Sequence, residues 1–100
     1  PFAVKKSIDT IRSTLDYEGV SVIISQEICP LYGKATKTRK EKKPYFVDHE
    51  RCQNHRDCVQ LLACPAIYLE GEQVEIDANL CVGCALCAQV CPEKAIRPLS

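Results

Sequence analysis

The chain has 100 residues, a formal net charge of zero and eight cysteines. That length holds one ordinary domain, or one small domain and a fragment. No apolar run nears the roughly 20 residues of a membrane span, and the stretch after Lys5 and Lys6 (SIDTIRSTLDYE) is amphipathic and charged, unlike the core of a signal peptide.

The zero balance is unevenly placed. Residues 34–43 (KATKTRKEKK) carry six positive charges and one negative, a net +5, whereas residues 44–100 carry eight negative and four positive, a net −4. Eight cysteines in a short secreted chain would suggest disulfides. Here their spacing argues for metal, and so for a reducing, cytoplasmic setting.

Residues 1–18 read as one amphipathic helix, with Val4, Ile8, Ile11 and Leu15 at helical spacing. Gly19 ends it as a C-terminal cap. Val20–Ile24 (VSVII) reads as a strand, apolar and β-branched enough to be buried on both faces, as in parallel sheets. A lone helix and a lone buried strand cannot make a core, so the rest of that sheet is expected elsewhere. Pro1 in place of Met fits a chain that is the end of something longer. Residues 25–33 (SQEICPLYG) read as an exit loop. Cys29 stands alone there and reads as a structural or unliganded thiol, with a cluster ligand as the alternative. The basic run 34–43 has no apolar periodicity and reads as a solvated linker. A docking strip for an acidic partner is the second reading. A nucleic-acid patch is the weakest, because no aromatic residues are interleaved with the charges.

From Pro44 the chain repeats itself. VDHERC (Val47–Cys52) aligns with IDANLC (Ile76–Cys81) 29 residues later, and Cys58 aligns with Cys87 at the same offset. Cys64-Pro65 aligns with Cys91-Pro92 after a two-residue difference. Between the halves, AIYLEGEQVEID reads as a β-hairpin that turns at Glu70-Gly71-Glu72-Gln73. The pattern is that of a duplicated unit with a pseudo-twofold axis.

The second half carries the sharpest motif, CVGCALCAQVCP. Cys81, Cys84 and Cys87 are each separated by two residues, and Cys91-Pro92 follows after three more. This is the ligand spacing of a bacterial-type iron–sulfur cluster. Three thiolates on one tight loop reach three irons of a cube, and the fourth points to a second cluster. Gly83 lets the backbone approach the core closely. A zinc ribbon needs two CxxC pairs set further apart. The crossed rule assigns Cys81, Cys84, Cys87 and Cys64 to cluster one. It assigns Cys52, Cys58, Cys91 and whatever stands at position 55 to cluster two.

Position 55 is His55, and the gap from Cys58 to Cys64 is five residues where its counterpart has three. Three readings stay open for cluster two: a four-iron cluster with His55 on the fourth iron, a three-iron cluster held by three cysteines, or a degenerate or zinc site. Neutral imidazole in place of thiolate removes a negative charge and raises the potential. His49 precedes the motif and reads as a surface residue.

Helix, VSVII, Cys-Pro loop, basic run, dicluster domain and the expanded gap before Cys64-Pro65-Ala66 together resemble the C-terminal end of the alpha subunit of indolepyruvate ferredoxin oxidoreductases. His55 departs from the cysteine usual there. The resemblance implies an α+β fold: a dicluster bacterial ferredoxin-like domain (45–100), a basic linker (34–44), and the terminal helix and strand (1–33) of an upstream α/β thiamine-diphosphate domain. It implies thiamine diphosphate and Mg²⁺ in that upstream domain of the same polypeptide or subunit, a beta- or gamma-type partner subunit, an external ferredoxin, and no nucleic acid or membrane. It also implies oxidative decarboxylation of aryl 2-oxoacids to acyl-CoA, with this chain holding no catalytic residue and supplying only the electron relay. Two other functions fit the cysteines: a free-standing dicluster ferredoxin, and a structural metal-binding interaction module.

Overall fold

The computed structural model describes residues 3–37 and 42–100. The chain divides into two units, Pro1–Glu41 and Lys42–Ser100.

The first unit holds helices α1 (Val4–Leu15) and α2 (Pro30–Ala35). α1 follows the helical spacing of Val4, Ile8, Ile11 and Leu15. Its hydroxyls bond back along the axis: Thr10 Oγ1 donates to the Lys6 carbonyl at 2.8 Å and Thr14 Oγ1 to the Thr10 carbonyl at 2.9 Å. Positions 1 and 2 of the expected helix lie outside the described residues. The helix closes earlier than Gly19. The Tyr17 N–H donates to the Thr14 carbonyl at 3.3 Å, tightening the last turn, and Gly19 bends the chain further on, at φ +117°.

The strand expected at Val20–Ile24 does not form. Those residues pair with no strand among the described residues, and Val20 is 91% exposed and Ile24 88%. A strand draws its hydrogen bonds from a neighbour, and the described residues offer none here. The exit loop expected over 25–33 is also corrected, because its last residues begin α2. Pro30 takes the first helical position, where a missing N–H costs nothing. The Gly33 N–H then donates to the Cys29 carbonyl at 2.8 Å. α2 thus runs into the span expected as linker, and positions 38–41 of that span lie outside the described residues.

The second unit is built twice from one plan. Its elements are β1 (Tyr45–Val47), α3 (Asp57–Gln60), β2 (Ile67–Glu70), β3 (Gln73–Ile76), α4 (Leu86–Val90) and β4 (Ile96–Pro98). β2 and β3 form the expected antiparallel hairpin, with Ile67 opposite Ile76 and Glu70 opposite Gln73. Gly71, at φ +63°, makes the two-residue turn possible. β1 pairs antiparallel with β4, with Val47 opposite Ile96. The second ladder is the first shifted by the 29-residue repeat: Tyr45 corresponds to Val74 and Ile96 to Ile67. The chain ends of the unit are thereby joined.

Val47, Val74 and Ile96, one from each of three strands, form the buried core with the thiols of Cys58 and Cys87. Ala66 and Ala95 are also buried, and each caps the other half's entry. The Asp77 N–H donates to the Ala66 carbonyl at 2.8 Å, and the Asp48 N–H to the Ala95 carbonyl at 2.7 Å. Among the described residues, no helix is long and apolar enough to cross a membrane.

Candidate metal centres

Each half presents its cysteines on a loop of one shape. The loop starts at an aspartate. The Asp48 carbonyl accepts the Arg51 and Cys52 N–H groups, and Asp48 Oδ1 accepts the Glu50 N–H at 3.1 Å. Twenty-nine residues on, the Asp77 carbonyl accepts Leu80 and Cys81, and Asp77 Oδ1 accepts the Asn79 N–H at 2.8 Å. Such side-chain bonds to the backbone two residues ahead set the turn.

The loops then pass through two left-handed residues. Asn54 (φ 59°) and Arg56 (φ 64°) in the first match Gly83 (φ 67°) and Ala85 (φ 62°) in the second. Left-handed residues in a tight loop let successive N–H groups form an anion-binding concavity. Non-glycine residues there cost about 1–3 kcal/mol each and gather at functional sites. Arg56 and Ala85 hand over directly to α3 and α4, which bury Cys58 and Cys87. Gly83 also has a steric reason. A Cβ there would meet the Lys43 carbonyl oxygen at 2.7 Å and Lys42 Cβ at 2.8 Å, so the end of the basic run lies against the second loop.

The thiols gather into two sets that cross between the halves. Burial pushes the Cys87 thiol up to about 11, and its neighbours Cys84, Cys81 and Cys64 add to this, against a lowering by the Ala88 N–H. Burial likewise raises Cys58, helped by Cys91 and Cys52 and opposed by the N–H groups of Cys58 and Val59. Cys64 thus keeps company with the second loop, and Cys91 with the first. No disulfide joins any of the eight cysteines. Cys29, in the first unit, is exposed and belongs to neither set.

The first loop encloses a cavity lined by Cys52, His55, Cys58 and Cys91, over an apolar floor of Val47, Val74 and Ile96. Three sulfurs and an imidazole on an apolar floor fit an iron–sulfur cluster, whose ligands are thiolates with histidine as the known substitute. Among the described residues, no three His, Cys, Asp or Glu side chains close tightly enough to hold a single metal ion. N–H groups already reach two of the sulfurs: Tyr45 donates to Cys81 Sγ and Ala95 to Cys91 Sγ, each at 3.4 Å. Hydrogen bonds of this kind tune a bound cluster's potential.

His55 occupies the register of Cys84, and its Nε2 lies 3.4 Å from Glu93 Oε1. Glu93 carries no sequence signal of its own. Only the crossing of the halves, which swings the residues after Cys91 over the first loop, brings it to His55. His49 is 40% exposed, and its Nε2 meets Glu75 Oε1 at 2.7 Å.

Duplicated cysteine loops on paired short ladders define a ferredoxin-like iron–sulfur protein of the electron-transport kind. Residues 74–97 match the model of the 4Fe-4S binding domain family. The indolepyruvate oxidoreductase subunit IorA of Archaeoglobus fulgidus is 40% identical over 98 residues, and that of Methanothermobacter marburgensis 42% over 98 residues. Both alignments cover 98% of this chain, which spans only 16% and 15% of those relatives' lengths. The pyruvate synthase subunit PorD of Methanothermobacter marburgensis is 40% identical over 67 residues, covering 60% of this chain and 78% of that subunit. The chain belongs to the family of the oxidoreductase subunit PorD, most of which it covers at 40% identity, and nearly its whole length is similar to a segment of IorA. No solved structure is significantly similar to it.

Proposed function

We propose that this chain relays single electrons through two iron–sulfur clusters inside a 2-oxoacid ferredoxin oxidoreductase of the indolepyruvate type. The observation that carries the reading is the crossed grouping of the thiols. Cys64, Cys81, Cys84 and Cys87 are the ligand set of one four-iron cluster. Cys52, Cys58 and Cys91, with His55, are the set of the second.

Bound clusters supply reversible one-electron oxidation and reduction close to the backbone. The chain's own residues do the rest. Cys58 and Cys87 hold their protons tightly when no cluster is bound, so binding releases them. The N–H groups of Tyr45 and Ala95 offset charge on Cys81 and Cys91. Val47, Val74 and Ile96 keep water from the inner side of the second set.

The indolepyruvate reading is supported by relatives that match nearly the whole chain and are several times longer. Residues 1–33 are then the last helix and last strand-forming segment of a thiamine-diphosphate and Mg²⁺ domain of the same polypeptide. Residues 34–44 are the linker and 45–100 the dicluster domain. The aryl 2-oxoacid is oxidised to the acyl-CoA elsewhere in the assembly, and electrons pass through this segment to an external ferredoxin. The match to most of PorD favours a second reading, in which the dicluster unit serves as a small subunit of its own.

The test is iron and acid-labile sulfide per chain after anaerobic purification, with EPR of both redox states. About eight irons, with signals only on reduction, are expected from two cubanes. About seven irons, with a three-iron signal when oxidised, would remove His55 as a ligand. Zinc in place of iron would overturn the relay.

A further inference from the structure

We infer that Glu93 is a positioning residue for His55, holding the imidazole so that Nδ1 is the nitrogen turned to the second cluster. The inference rests on the proposed role of His55 as fourth ligand and names what makes that role geometrically possible.

Both side chains line the cavity of Cys52, Cys58 and Cys91. His55 Nε2 faces Glu93 Oε1 at 3.4 Å, which is within hydrogen-bond reach. A neutral imidazole has one N–H and one lone pair. A carboxylate at Nε2 takes the N–H there and leaves the lone pair on Nδ1 for a metal, the arrangement that outer carboxylates impose on metal-bound histidines. The choice of nitrogen also suits the space. His55 stands where the other half has Cys84, so its donor atom must fall near a cysteine sulfur. Nδ1 is the ring nitrogen nearer the backbone, whereas Nε2 would push the iron outward. Arg56, which also lines the cavity, is engaged elsewhere: its Nε donates to Asn54 Oδ1 at 3.4 Å and its Nη2 to the Glu72 carbonyl at 3.5 Å.

The two halves differ in the matching places. The half with Cys84 is crossed by Cys64-Pro65-Ala66, with nothing between proline and alanine. The half with His55 is crossed by Cys91-Pro92-Glu93-Lys94-Ala95. The histidine and the carboxylate therefore depart from the repeat together.

The test uses the full chain, loaded anaerobically with iron and sulfide, and the variants Glu93→Ala, Glu93→Gln and His55→Ala. Three quantities are read: histidine-nitrogen coupling to the reduced second cluster by pulsed EPR, release of the fourth iron to a chelator, and the His55 tautomer by ¹⁵N NMR without clusters. The unaltered chain is expected to show the nitrogen coupling and an Nε2–H tautomer. Glu93→Ala should weaken the hold on the fourth iron about 10- to 100-fold and lose the tautomer preference. Glu93→Gln, whose amide oxygen still accepts from Nε2–H, should keep both. Glu93→Ala with unchanged coupling, iron release and tautomer, alongside an altered His55→Ala, overturns the positioning role alone. His55→Ala indistinguishable from the unaltered chain overturns the ligand reading and the positioning role with it. Should Glu93→Ala fail to fold, Glu93→Leu, of similar length and unable to accept from Nε2–H, takes its place: a folded Glu93→Leu chain that keeps the coupling, the fourth iron and the tautomer overturns the role.

Discussion

Cys87 and Cys58 are the proposed ligands that are also core residues, and burial sets their acidity. Burial raises Cys87 from the ordinary 9.0 to about 11. In the cluster-free chain its thiol is therefore protonated across the neutral range and a poor nucleophile, since only the thiolate reacts. Folding then binds this proton more tightly than unfolding does. The contribution to stability is complete below about pH 9 and is lost as pH rises through about 11. Alkylation of the cluster-free chain, mapped by mass spectrometry, should label exposed Cys29 first and Cys87 last, with Cys87 labelling accelerating over that same window. Equal labelling of Cys29 and Cys87 at about pH 8 would contradict the buried placement. At this scale the sequence was most informative about the two loops, because the cysteine repeat at a 29-residue offset marks segments that fold alike. It was silent on Glu93, because nothing local in Cys-Pro-Glu-Lys says that this carboxylate crosses to His55.

Elements were legible where their hydrogen bonds are local. The spacing of Val4, Ile8, Ile11 and Leu15 indicated α1, whose bonds are all internal, and Glu70-Gly71-Glu72-Gln73 indicated the β2–β3 turn, whose strands are neighbours in the chain. The β1–β4 ladder joins residues about fifty apart and could be inferred only through the repeat. VSVII shows the opposite case. Its composition is that of a buried strand, yet Val20, Val22 and Ile24 lie exposed and unpaired with any strand among the described residues. α1 likewise buries none of its residues. Isolated helices of about a dozen residues are marginal in water, because most helical stability comes from packing an apolar face. A peptide of residues 1–33 should therefore show weak circular dichroism helicity that declines gradually on heating. A sharp, cooperative transition for that peptide would mean that the segment carries its own core.

On the scale of the whole molecule, the second unit has too little aliphatic core to stand easily alone. Its buried apolar side chains are Val47, Val74, Ile96, two alanines and two cysteines. Domains of this size are marginal without staples such as disulfides or metals, and no disulfide is present. The proposed ligand thiols Cys58 and Cys87 are part of the core itself, so cluster binding adds to the stability of the fold. A ligand whose Kd lies a thousandfold below its concentration adds about 4 kcal/mol to stability. For a domain of this length, that shifts the melting temperature by roughly 15–30 °C. Removing iron with a chelator under anaerobic, reducing conditions should thus lower the unfolding temperature of the Lys42–Ser100 unit by that order and expose its β1–β4 ladder to proteolysis. The order of loss is also set by the ligands. The proposed set of Cys64, Cys81, Cys84 and Cys87 would have four thiolates, whereas the proposed set with His55 would have three and a neutral ring. Iron should leave the His55 side first, with the thermal transition falling in two steps. An unfolding temperature indifferent to iron would show that the aliphatic side chains hold the unit together by themselves, and a single step would show that the two sets empty together.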